Sequence, residues 1–272
     1  MTTRPLALLA NDDGIAAPNL LALRDELARL ADVVVCAPEV NQSATSHSLS
    51  LHRILRLREV EPGMFAVDGT PADCVYVALH SGTRVLPRRP DLVVSGMNHG
   101  LNLGVDVFYS GTVAAAREAA LRGIPSIAIS ADGAADPVAA ARLGAALALR
   151  MLDVAQRTQR TQGTQRAPGT PRTSGSAPPL LNVNIPRGDR WDVRATRLGA
   201  RMYTEDVDYR RDPRGREYLW IGGAGAVRHD HVAGSDTEAH DAGVASVTPL
   251  TLDLWATDEA GFAADVAGAA AV

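Results

Sequence analysis

Leu6-Ala7-Leu8-Leu9-Ala10-Asn11-Asp12-Asp13-Gly14 is the stretch from which the rest of the chain is best read. Five apolar residues without polar alternation, closed by a turn signal, predict a strand buried on both faces. Three more runs of this kind follow, at Val33–Ala37, Asp91–Ser95 and Ser126–Ser130. Helical signals separate them. Pro18 to Leu30 places Leu20, Leu23, Leu27 and Leu30 on one face. Ala72 to His80 is a short helical stretch, and Thr112 to Arg122 is stopped by Gly123 and Pro125. An Ala-rich helix covers Asp136 to Asp153. Apolar strands interleaved with helices predict a doubly wound α/β core on a mainly parallel sheet.

The chain has 272 residues, 46% of them hydrophobic, and a formal net charge of -4. That length suits one large domain, or a core with an appendage. Mild acidity argues against nucleic acid as a partner. Cys36 and Cys74 lie in apolar stretches without CxxC spacing and read as buried thiols, which fits a reducing compartment. The apolar run after Arg4 meets Asp12 too soon for a secretory signal. Arg142 and Arg150 make the Ala-rich helix a soluble one. The expectation is a cytoplasmic protein with no membrane partner.

From Gln156 to Pro179 the pattern collapses into Arg, Thr, Gln, Pro, Gly and Ser with no aliphatic anchor. Such sequence cannot bury enough to order itself and reads as a disordered surface insertion. Beyond Leu180 the strands change style. Tyr203–Tyr209 and Glu217–Ile221 flank a turn-rich segment and predict a long hairpin. The expected division is a catalytic core of residues 1–155 and 180–200, an insertion at 156–179, and a β arm with C-terminal segment at 201–272.

Chemistry concentrates in three loops. Past the end of the first strand the pleat is lost, so Asp12 and Asp13 can turn toward one point. Two uncompensated carboxylates there are costly unless neutralised. Mg²⁺ or Mn²⁺ would do so, since both prefer carboxylate, carbonyl and water oxygens. Asn-Asp-Asp-Gly is equally a good turn in its own right. The segment Ser95–Gly104 carries three glycines and two asparagines, and Asn98 offers an amide oxygen for a cation shell. Ligands of open α/β sheets sit at the carboxyl ends of strands, where this loop and the Asp pair both fall. Ser110-Gly111-Thr112 opens the next helix, as an ordinary N-cap or as a phosphate cradle. Ser43, in the polar segment Asn41–Leu51, is a weak but acceptable Mg²⁺ ligand.

Histidines add little. His47 falls in the candidate site and is in place to assist proton transfer. His229-Asp230-His231 resembles a metal clip, but its spacing is not zinc-like and an exposed loop explains it better. No GxxxxGK[ST] or GxGxxG phosphate loop and no GxSxG elbow is present.

With these segments in hand, the chain resembles the survival protein E (SurE) family of metal-dependent 5'/3'-nucleotidases. The matching stretches are residues 8–20 (LLANDDGIAAPNL), 41–51, 67–79, the long block 90–130, 181–186 and 235–250. The resemblance implies a Rossmann-like core with a smaller β-rich C-terminal extension that joins subunits into homodimers or homotetramers. It implies one divalent metal per subunit on Asp12, Asp13, Ser43 and Asn98, with Asp12, Asp13 and Asn98 catalytic. It further implies phosphate contacts from Asn102, Ser110, Gly111 and Thr112. The activity implied is hydrolysis of nucleoside 5'-monophosphates, with 3'-nucleotides and short polyphosphate as further substrates. Three departures from the family pattern stand out: Val40 in place of Arg, Ala44 in place of Gly, and Val105 in place of an acid. None removes a metal ligand.

Two competing readings are a phospho-accepting receiver domain and a non-catalytic nucleotide sensor. The first needs an acceptor Asp at the end of the third core strand, where this chain has Ser-Gly-Met-Asn. The second would bind nucleotide with metal and release no phosphate.

Overall fold

A computed structural model describes residues 4–162, 178–202, 207–221 and 228–269. The first half contains β1 (Leu6–Ala10), α1 (Pro18–Ala28), β2 (Asp32–Pro38), β3 (Leu57–Glu61), β4 (Met64–Val67) and α2 (Pro71–His80). It continues with β5 (Leu92–His99), α3 (Gly111–Leu121), β6 (Ser126–Ala131) and α4 (Pro137–Gln162). The second half contains β7 (Leu180–Ile185), β8 (Val193–Ala195), β9 (Ala200–Met202), β10 (Val207–Arg211), β11 (Glu217–Ile221) and β12 (Arg228–Asp230). It closes with α5 (Asp236–Asp241), β13 (Ala245–Pro249) and α6 (Ala260–Ala269).

One nine-stranded sheet, ordered β3-β4-β2-β1-β5-β6-β7-β13-β8, organises the molecule. From β4 to β7 every neighbouring pair is parallel. Antiparallel pairing enters only where β3 joins β4 and β13 joins β7. The α/β class and the mainly parallel, doubly wound sheet are therefore as expected.

The pleat of β1 explains why both faces must be covered. Ala7 and Leu9 join Leu20, Leu23 and Leu27 of α1 and Ala141, Ala145 and Ala148 of α4 in one cluster. Leu6, Leu8 and Ala10 go to the other face, against Cys74 and Val75 of α2 and Ala115 and Ala119 of α3. Each fully buried leucine contributes about 1.5–3 kcal/mol. Alanine on α3 and α4 keeps these helices close to the sheet. Cys36 and Cys74 are buried free thiols, with the Cys36 Sγ donating to the Cys74 carbonyl at 3.3 Å.

Four boundaries differ from the sequence expectation. α1 ends at Ala28, so Leu30 leaves the apolar face and is 47% exposed. β5 runs on to His99, which places Asn98 on a strand rather than in a loop. α4 continues to Gln162, past Gln156, because Gln and Arg are good helix formers whatever their repetitiveness. Residues 163–177 of the expected insertion lie outside the described residues. Finally, β13 sits inside the main sheet between β7 and β8, so the core reclaims residues 245–249 from the expected C-terminal arm.

The hairpin is formed by β10 and β11, with Val207 opposite Ile221 and Arg211 opposite Glu217. Its beginning, Tyr203–Asp206, falls outside the described residues. Among the described residues no helix is long and apolar enough to cross a membrane.

Candidate metal and phosphate site

Asp12 lies two residues past the end of β1 and is 4% exposed. Burial raises its carboxyl from 3.8 to about 6; the Thr112 hydroxyl works against that rise, and the neighbouring Asp13 adds to it. Thr112 donates its hydroxyl to Asp12 Oδ1. Asp13 is oriented separately, its Oδ2 accepting the His99 backbone N–H at 2.9 Å. The last residue of β5 thereby holds the carboxylate that follows β1, its neighbour in the sheet.

Helix α3 approaches Asp12 end-on. Ser110 caps it, accepting the Val113 N–H on Oγ at 3.1 Å. Gly111 occupies a position that no side chain can share, since a Cβ there would lie 2.9 Å from Asp12 Cβ and 3.1 Å from its Oδ2. The first turn of a helix leaves N–H groups without intrahelical partners, and these face an anion well.

A cavity of about 380 Å³ opens here, lined by Asp12, Ser43, Asn98, Asn102, Asp106 and Ser110 among others. Five of the eight site residues read from the sequence thus face one space. Asp13, Gly111 and Thr112 do not line it. They stand behind it, one joined to His99, one against Asp12, one bonded to Asp12.

The neutral members are held in place. Asn98 donates Nδ2 to the Gly100 carbonyl at 2.8 Å, which leaves its Oδ1 as the atom for a ligand. Ser43 is fixed by Asn41, whose Oδ1 accepts both its N–H (2.8 Å) and its hydroxyl (2.7 Å). The Gln42 N–H donates to the Asp12 carbonyl at 2.7 Å, so the Ser43 loop is tied to β1. It is tied to the segment before α3 as well, through Ser46 N–H to the Tyr109 carbonyl and Ser46 Oγ to the Phe108 carbonyl. Ala44 and Ser46 have φ of 59° and 54°. A Gly at 44, as the family pattern has it, would take that conformation without steric cost.

Asn102 is the most strongly anchored residue of the site. Its N–H donates to Asn184 Oδ1 at 2.7 Å, and its carbonyl accepts from Nδ2 of both Asn182 and Asn184. Its own Nδ2 donates to Ser130 Oγ at 2.8 Å. Asn182 and Asn184, buried on β7, were not singled out by the sequence reading. The signal was there, because asparagine at alternate positions of an otherwise apolar strand must find partners. Asp106 was also missed; its Oδ2 takes Arg201 Nη1 at 2.7 Å.

The donor set suits a hard divalent cation. Asp12, Asn98 and Ser43 bring one carboxylate and two neutral oxygen donors to the cavity, Asp13 adds a second carboxylate next to Asp12, and burial makes the Asp12 charge costly without a counterion. Among the described residues no three His, Cys, Asp or Glu side chains converge as a metal cluster. The remaining ligands would be amide, hydroxyl and water. His47 Nε2 meets the buried Glu118 Oε2 at 3.0 Å, and Glu118 also takes Arg122. The ring is thus engaged on α3, away from the lining of the cavity. His231 is exposed and, among the described residues, pairs with Glu238 at 3.6 Å.

Comparison with known proteins gives one consistent picture. The family model described as survival protein SurE matches residues 7–205. A protein named 5'-nucleotidase SurE from Sorangium cellulosum (strain So ce56) is 70% identical over 260 residues, spanning 96% of this chain and 95% of that one. Another of the same name, from Anaeromyxobacter sp. (strain Fw109-5), is 47% identical over 249 residues, spanning 90% and 89%. The crystal structure of the SurE protein from Aquifex aeolicus superposes with a TM-score of 0.77 at 35% identity, covering 97% of this chain and all of that one.

Proposed function

The chain belongs to the survival protein SurE family and is a 5'-nucleotidase, and we propose that it works through a divalent cation held by Asp12, Asp13, Ser43 and Asn98. The observation that supports this best is the single cavity onto which Asp12, Ser43, Asn98, Asn102 and Ser110 open. We take the substrates to be nucleoside 5'-monophosphates, with 3'-nucleotides and short polyphosphate as further candidates.

The residues divide the labour. Asp12 and Asp13 carry the two negative charges that match the charge of Mg²⁺ or Mn²⁺. Asn98 and Ser43 add oxygens without adding charge. When bound, the cation supplies Lewis-acid polarisation of the phosphoryl group and lowers the pKa of water. A phosphate dianion in the cavity would meet the N-terminus of α3, where Ser110 lines the space and Gly111 and Thr112 bring the positive end of the helix up behind it. Asn102 also lines the cavity and would offer a further oxygen the second hydrogen of its Nδ2, its backbone immobilised by β7. As charge grows on the equatorial oxygens, these fixed donors stabilise it without reorganising.

Exposed apolar side chains on the hairpin support a homodimer or homotetramer. Trp220 is 62% and Ile221 85% exposed, and a two-stranded hairpin is marginal alone. A cytoplasmic site of action fits the buried free thiols.

Phosphate release from AMP, GMP and UMP, with and without Mn²⁺, tests the reading. Release that needs Mn²⁺ and disappears in Asp12→Asn is expected. Binding of nucleotide with no release by the native enzyme would favour a sensor instead.

A further inference from the structure

Beside the phosphate cavity lies a second of about 380 Å³, lined by Gly100, Leu101, Leu103, Asp132, Gly133, Arg187, Arg201 and His240. The two share Gly100 and Leu101 as a common wall. Their placement follows from the sheet. The phosphate cavity lies past the carboxyl ends of β1 and β5, while Asp132 directly follows β6 and Arg187 follows β7 by two residues. Because β1, β5, β6 and β7 are consecutive parallel strands, the cavities are successive stations along one carboxyl edge. A nucleoside monophosphate with its phosphate at α3 would have the second cavity beside it along that edge.

The polar groups of the second cavity are not equivalent. Arg201 is committed to Asp106, and His240 Nδ1 to Asp241 at 3.2 Å. Asp132 Oδ1 accepts the Ala134 N–H at 2.8 Å, which leaves Oδ2 for a ligand. Arg187 is exposed and borders the cavity. An acceptor oxygen and a cationic fork therefore border one space next to the phosphate site.

We propose that this second cavity seats the nucleobase and selects guanine, with Asp132 and Arg187 as its specificity residues. The inference rests on the nucleotidase reading above. Guanine presents two adjacent donors, N1–H and N2–H₂, which a carboxylate accepts, and its O6 and N7 accept a guanidinium bidentately. Uracil has no amino group and turns a carbonyl toward Asp132. Adenine and cytosine offer one amino donor without the adjacent ring N–H. The expected order is GMP first and UMP last, separated by about tenfold or more in kcat/KM.

The decisive variant is Asp132→Asn. It keeps Oδ1 and so the Ala134 contact, but exchanges Oδ2 for an NH₂ donor. Guanine then meets a donor where it needs an acceptor, while xanthine, with a carbonyl in place of the 2-amino group, gains a partner. The expected result is a fall in kcat/KM for GMP and a rise for XMP, reversing their order. Arg187→Ala is expected to lower both toward UMP. Release from p-nitrophenyl phosphate, which has no base, supplies the reference rate. Equal GMP and UMP in the native enzyme, or an unchanged GMP to XMP ratio in Asp132→Asn, with p-nitrophenyl phosphate still cleaved, would overturn the base site alone. No release from any ester by the native enzyme would overturn the nucleotidase reading itself.

Discussion

Replacing Asp12 by Asn is expected to stabilise the metal-free enzyme while abolishing its activity. The buried Asp12 carboxyl is raised from 3.8 to about 6. At about 1.4 kcal/mol per pH unit, this is a cost of about 3 kcal/mol for holding the charge in the folded state. The sign follows from linkage. The folded protein binds the Asp12 proton more tightly than the unfolded chain, so this group lowers stability as pH rises through the window from 3.8 to about 6. The cost is absent below that window and complete above it. Asparagine carries no charge, and its Oδ1 can still accept the Thr112 hydroxyl. In EDTA at pH 8 the variant should melt on the order of 5–10 °C above the native protein. The gap should narrow as the pH is lowered toward 5. Adding Mn²⁺ should raise the native melting temperature and leave the variant's unchanged. Coincident melts in EDTA at pH 8 would refute the claim that Asp12 is a charge awaiting a counterion.

Two further outcomes follow from the same contacts. Thr112→Val removes the hydroxyl that opposes the rise of Asp12; metal-free stability at pH 8 should fall by about 1–3 kcal/mol, read from urea unfolding. Asn184→Ala strips Asn102 of its N–H acceptor and of one of two donors to its carbonyl. Unfolding free energy should drop by about 2–3 kcal/mol, and inhibition by inorganic phosphate should weaken, whereas an unchanged phosphate inhibition constant would argue against Asn102 as a phosphate contact.

The parallel core was legible because its strands announce themselves: Leu6–Ala10 is apolar throughout and Ser126–Ala131 is apolar apart from two small serines, and both are buried at every position, as a sheet covered on both faces demands. The C-terminal part was less so. Ala245–Pro249, short and half polar, looks like surface strand, and only its pairing with β7 at Val183↔Val247 makes it core. Among site residues, those at strand ends and helix starts could be read because carboxylates and hydroxyls there need a reason. Asn182, Asn184 and Asp106 escaped because their partners lie far off in sequence, at Asn102 and Arg201. Alternating asparagines on an apolar strand signal that partners are needed, but local pattern does not say which residues lie at the other end of a hydrogen bond spanning 80 residues or more.

That long reach has a consequence for the order in which the enzyme becomes competent. A ribosome that has released the first 179 residues has delivered both aspartates, Ser43, Asn98 and the whole of α3, yet of the partners of Asn102 described above only Ser130. The asparagines of β7, which pairs with β6, arrive only afterwards and supply the bonds to the Asn102 backbone. The backbone around Asn102 is therefore fixed only once both halves of the polypeptide have been made.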